Sequence, residues 1–144
     1  MGIFDVDSFL NDEQEELDTA RAVIPVGVHS AFIEALDVKD GTSESGVEWA
    51  KLNVKFNITE PGVLAAMERE KVLLTSGYML DIDEATGRLA TGKGKNWQLG
   101  QLRAATGKIK GPLSELVGCQ VLIEVKHRIY DGKVQEDVKS VTRA

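Results

Sequence analysis

The chain has one cysteine, Cys119, and only two histidines, His29 and His127. A lone cysteine cannot form a disulfide within the chain, which fits a reducing compartment. Cys119 lies in an apolar run, where a small buried hydrophobe is expected rather than a nucleophile. Neither histidine stands at metal-ligand spacing from it. No apolar stretch approaches the ~18 residues needed to span a bilayer. The N-terminus also lacks the basic-then-apolar order of a signal peptide. These absences predict a soluble, cytoplasmic protein with no membrane partner. The serines and threonines form no nucleophile motif. Asp81, Asp83 and Glu84 are the best acidic cluster, but acids where a strand enters a turn are usually solvated. No catalytic residue, metal or cofactor is expected, and the protein is read as a non-enzyme.

Bases are also missing where acids are dense. Residues 1–20 hold Asp5, Asp7, Asp12, Glu13, Glu15, Glu16 and Asp18 and no Lys or Arg. The remaining chain is nearly neutral, although the net charge of the whole is −6. Within 88–128 the bases Arg88, Lys93, Lys95, Arg103, Lys108, Lys110, Lys126 and Arg128 face only Glu115 and Glu124. An acidic arm on a body with one basic side points to a polyanionic partner.

The 144 residues suffice for one ordinary domain. We divide them into an acidic arm, 1–22, and a folded domain, 23–144. The arm is expected to be flexible or a short helix begun by Asp7 or Ser8. Residues 24–38 read as a first strand, bent or bulged at Gly27, followed by the turn-rich "KDGTSESG". "VEWAKLNVKFNI" (47–58) alternates strictly, with Ala50, Leu52, Val54, Phe56 and Ile58 on one face. Trp49, Lys51, Asn53, Lys55 and Asn57 lie on the other, so the strand is half buried. Pro61 opens one or two helical turns. Residues 71–83 read as a third strand, kinked near Gly77. Asn96 is placed to cap a helix that Gly107 stops. Residues 119–130 and 133–142 form a hairpin around Asp131-Gly132. Three strands, a helix and two strands cannot build a parallel α/β sheet, which needs a helix at each crossover. The order predicts a mainly β fold: a five-stranded OB-type antiparallel barrel with a helix between strands three and four. A small antiparallel α+β sandwich is the alternative.

"GRLATGKGKN" (87–96) nearly matches the phosphate-loop pattern, but Gly94 replaces the hydroxyl residue that would sit on magnesium. The basic loop is better suited to strand phosphates, through Arg88, Lys93 and Lys95. Trp49 beside Lys51 and Lys55 suits base stacking with phosphates held alongside. Lys126, Arg128 and Tyr130 repeat that pattern on a later strand, with Val125 and Ile129 turned to the core. The two stripes together would form one cationic, aromatic-studded groove. Tyr78 and Trp97 are expected to pack in the core or against the helix.

"GRLATGKGKNWQLGQLRAATG", followed by "LSELVGCQVLIEVKHRIYDGKVQEDVKSV", resembles the C-terminal half of phage-encoded single-stranded DNA-binding proteins with an OB fold. "VIPVGVHSAFIEALDVK" resembles their beginning. The resemblance implies single-stranded DNA binding in replication or recombination, in the host cytoplasm, without catalysis. The best-known proteins of this function carry an acidic docking tail at the C-terminus, whereas here the acids are N-terminal. Phe4, Phe9, Leu10, Asp12, Glu13, Glu15 and Glu16 are the arm's candidates for recruiting a replication or recombination protein, or for occupying the basic groove in place of DNA. Homo-oligomerisation is compatible with this reading. A protein-interaction or assembly module on the same barrel, without nucleic-acid binding, is the alternative function. A magnesium-dependent nuclease or NTPase using Asp81, Asp83 and Lys93 is a weaker third.

Overall fold

The computed structural model describes residues 5–11, 13 and 22–144. A six-residue helix, α1 (Val6–Asn11), comes first and buries none of its residues. Asp5 starts it, accepting hydrogen bonds from the Asp7 and Ser8 amides at 3.1 and 3.3 Å. The cap is thus Asp5, not Asp7 or Ser8. Phe4, Asp12, Glu15 and Glu16 lie outside the described residues.

The body is a five-stranded antiparallel sheet of β1 (Gly27–Thr42), β2 (Glu48–Ile58), β3 (Val72–Leu80), β6 (Gln120–Tyr130) and β7 (Lys133–Arg143). Their order is β3-β2-β1-β6-β7. Two-residue strands β4 (Ile82–Asp83) and β5 (Arg88–Leu89) pair in a separate small hairpin. Helix α2 (Pro61–Met67) joins β2 to β3, and α3 (Trp97–Thr106) joins β5 to β6. No ladder joins β3 to β7, so the sheet is open between them.

The expected first strand ends later than Val38, because β1 runs on to Thr42 against β2. Its irregularity is also elsewhere. Gly27 begins the strand, whereas the pairing with β2 skips between Ile33 and Ala35, leaving Glu34 as the extra residue. Such a bulge turns the side chains by one place. Ala31 and Ile33 face the core before it, and Leu36 packs against the core after it. Glu34 is held there by Lys71 Nζ at 2.6 Å and by the Asn57 amide at 3.3 Å. β3 pairs without interruption past Gly77, so the expected kink is absent.

Leu52, Val54, Phe56 and Ile58 from β2 meet Val121, Ile123 and Val125 from β6 in the core, all nearly inaccessible. Each such side chain contributes about 1.5–3 kcal/mol on burial. Helix α3 covers one side with Leu99, Leu102 and Ala105. Gly107, at φ 78°, ends α3 as expected. Asp131 and Gly132 both take positive φ, 52° and 73°, the backbone that a two-residue hairpin turn requires. Cys119 is half-buried rather than sealed in the core.

Candidate nucleic-acid interface

The alternation of β2 places Trp49, Lys51, Asn53 and Lys55 on the outer face of the sheet. On that face Gly41 of β1 stands opposite Trp49, and Gly77 of β3 stands opposite Asn53. The indole lies across Gly41, where a Cβ would come within 2.7 Å of Trp49 Cζ2. The stem of Lys51 likewise lies over Gly77, where a Cβ would overlap its Cε. The two glycines therefore let Trp49 and Lys51 lie down on neighbouring strands instead of standing off the sheet. Trp49 keeps 37% of its surface exposed.

The result is a groove of about 520 Å³, lined by these β2 side chains together with Asp37 and Lys39 of β1 and Thr75 of β3. Lys39 and Lys51 are directly opposed across the β1–β2 ladder. The Lys51 side chain leans the other way, over Gly77 of β3, which keeps the two ammonium groups apart. Among the described residues, Lys39, Lys51 and Lys55 join none of the salt bridges, which are Lys71–Glu34, Lys126–Glu124 and Arg128–Asp137. Among the described residues Asp37 is the acid that lines the groove, and Glu34 also acts electrostatically on Lys55. The groove thus presents an aromatic face and, among those residues, more positive than negative charge.

Arg88 lies in β5, and Lys93 and Lys95 lie in the exposed loop before α3. Gly87 lines a second depression, about 940 Å³, which also touches Trp49. Among the described residues that depression carries Asp40, Glu48 and Glu84 and no base. The loop is anchored by Asn96, whose amide Nδ2 donates to the carbonyls of Asp81 and Ala90, each at 2.9 Å. Asn96 is in the left-handed region and makes no side-chain bond to the helix. It ties down the loop rather than capping α3, which corrects its expected role.

Lys126, Arg128 and Tyr130 do not meet the Trp49 stripe. The β1–β6 ladder ends at Gly27 opposite Val125, while Trp49 stands opposite Gly41. In register along β1 those two pairings are fourteen residues apart, Gly27 against Gly41. Beyond Val125 the β6–β7 hairpin has no neighbouring strand among the described residues, and Ile129 is 77% exposed rather than buried. Arg128 is committed to Asp137 at 2.8 Å, and its guanidinium lies 5.8 Å from the Tyr130 ring. The Asp137 carboxylate raises the Arg128 pKa further above its usual value. Among the described residues, none of the three depressions is lined by side chains of both stripes, so the expected single groove is not formed as such.

Arg103 is a packing residue: it donates to the Gly111 carbonyl at 2.9 Å, and its Nε is buried. His127 and His29 grip one short strap, through the carbonyls of Ile24 at 2.6 Å and Pro25 at 2.7 Å. Phe9, Leu10 and Glu13 of the arm are exposed. Tyr78 is buried as expected, and burial pushes its phenol pKa up. Trp97 is 64% exposed, against expectation. Among the described residues no group of three or more His, Cys, Asp or Glu could hold a metal ion. No helix among them is long and apolar enough to cross a membrane. Sequence reasoning missed Lys39, Gly41, Thr75 and Gly77. Only Lys39 had a local signal, as a base two residues after the expected end of its strand's odd-numbered face at Asp37.

No protein-family model matches the chain, and no curated protein sequence matches it.

Proposed function

We propose that the chain is a non-enzymatic, sequence-tolerant single-stranded DNA-binding protein of phage-type replication or recombination. The observation that carries this reading is the groove in which the half-exposed indole of Trp49 packs against Gly41 beside Lys39, Lys51 and Lys55. An aromatic platform accepts any base, and adjacent ammonium groups follow the phosphates. Arg88, Lys93 and Lys95 supply further charge from an anchored loop, and the Lys126–Arg128–Tyr130 hairpin offers a separate contact.

The strand order, with α3 between the third and fourth long strands, supports an OB-type barrel that is open between β3 and β7. The acidic arm, exposed at Phe9 and Leu10, either recruits a replication or recombination protein or competes with DNA for the basic surfaces. Deleting residues 1–20 separates the two: tighter DNA binding marks a competitor, and unchanged affinity leaves recruitment.

The test of function is fluorescence anisotropy of a labelled oligothymidine, with tryptophan emission read in parallel at about 50 and 200 mM salt. Binding with quenching at low salt, weakened at high salt, is expected. No anisotropy change at low salt would remove this reading and favour a protein-interaction module.

A further inference from the structure

We infer that Trp97 is a second base-stacking platform for the same strand, reached from the Trp49 groove by crossing β3 at Thr75; this rests on the single-stranded DNA reading. Trp97 opens α3 and takes no part in its buried face, which is Leu99, Leu102 and Ala105. At 64% exposure it is the most accessible tryptophan in the chain. An indole left this open contributes little to the core, so packing does not account for it.

The surroundings say which ligand fits. Trp97 borders a depression of about 540 Å³ between the open edges of β3 and β7. Its walls include Ser76, Gln98, Gln101 and Ser140. Amides and hydroxyls both donate and accept hydrogen bonds, which suits base edges and not an apolar segment. Thr75 lines both this depression and the Trp49 groove, so the two adjoin at that residue.

Charge decides the direction of travel. Past Trp49 the neighbouring depression carries Asp40, Glu48 and Glu84 and, among the described residues, no base, so it repels phosphates. Across Thr75 the lining charges are Asp137, already paired with Arg128, and Lys139. Lys95 stands two residues before Trp97 in the chain. A polyanion leaving the groove therefore meets less repulsion on the Trp97 side.

The test uses the full-length chain and oligothymidines from about 4 to about 16 nucleotides, the range of single OB sites. In Trp49→Phe the remaining indole is Trp97, and its emission should be quenched by the longer oligomers and not by the shortest. Trp97→Ala should weaken the longer oligomers by about 5- to 150-fold, the loss of one stacked base. It should leave the shortest unchanged, and Trp97→Phe should restore most of the affinity. If anisotropy reports normal binding of long oligomers to Trp97→Ala, and Trp97 emission does not respond, this inference fails while the DNA-binding reading stands. If the wild-type chain shows no anisotropy change at low salt, both fail.

Discussion

Asp81 and Asn96 hydrogen-bond to each other in both directions. Asn96 Oδ1 accepts from the Asp81 amide, and Asp81 Oδ2 accepts from the Asn96 amide, both at 2.8 Å. The pair joins the end of β3 to the start of α3, so the glycine-rich basic loop is fastened at its base. Within it, Gly87 and Gly94 take positive φ, 70° and 81°, as tight turns require. Lys93 and Lys95 are thus carried on a short, held loop that is part of neither flanking helix nor strand.

Asn96→Ala should therefore cost about 1–3 kcal/mol, from several lost hydrogen bonds and an alanine in the left-handed region. Urea unfolding should show a lower midpoint with an unchanged slope. Asn96→Gly keeps the backbone unstrained, so the difference between the two variants isolates the backbone contribution.

Gly41→Ala should displace the indole of Trp49. The added Cβ has no room, and the neighbour it meets is a rigid ring. A destabilisation of about 1–3 kcal/mol is expected, as for other overpacked sites. Tryptophan emission of a Trp97→Phe background reports the change directly, because Trp49 is then the only indole.

Lys39→Ala should change binding and leave stability nearly unchanged, because the Lys51 ammonium leans over Gly77 of β3, away from Lys39. The same change should lower the slope of log affinity against log salt by about 0.7 for one lost phosphate contact on a single strand. If binding is untouched, Lys39 lies outside the DNA path.

Arg128→Ala should weaken oligonucleotide binding less than Lys55→Ala does. Arg128 is already paired with Asp137, whereas Lys55 joins none of the salt bridges among the described residues. Anisotropy titrations of the two variants at one salt concentration compare them.

The acid limb of stability should depend on Glu34 at the β1 bulge. The hydrogen bond from Lys71 holds the Glu34 carboxyl below its ordinary value. A depressed carboxylate stabilises the fold above its unfolded-state pKa, and that contribution is lost as pH falls through the folded-state value. Lys71→Met should therefore narrow the stability difference between neutral and acid pH. Urea midpoints across the carboxylate range measure this.

The parts of the fold legible in the sequence were those written in local periodicity. The two faces of β2 are correct residue by residue, because alternation is a property of a single strand. The Asp131-Gly132 turn and the Gly107 stop are also local: each rests on the backbone freedom of one or two residues. Ile129 shows where this reasoning ends. It alternates like a core residue, but whether it is covered depends on β1, which stops at Gly27. Trp97 is similar, since the first turn of a helix can face either way until the helix is docked.

The sequence alone therefore determined the mainly β class, the order of the long strands, and the aromatic and cationic residues of β2. These follow from hydrophobic alternation and turn chemistry, which act between near neighbours in the chain. Tertiary structure decided the rest: the bulge at Glu34, the glycines beneath Trp49 and Lys51, and the opposition of Lys39 and Lys51. It also left Lys126, Arg128 and Tyr130 out of the Trp49 groove and placed Thr75 at the edge of both that groove and the Trp97 depression. Each of these depends on strand register, and register is set by pairing between segments far apart in the chain.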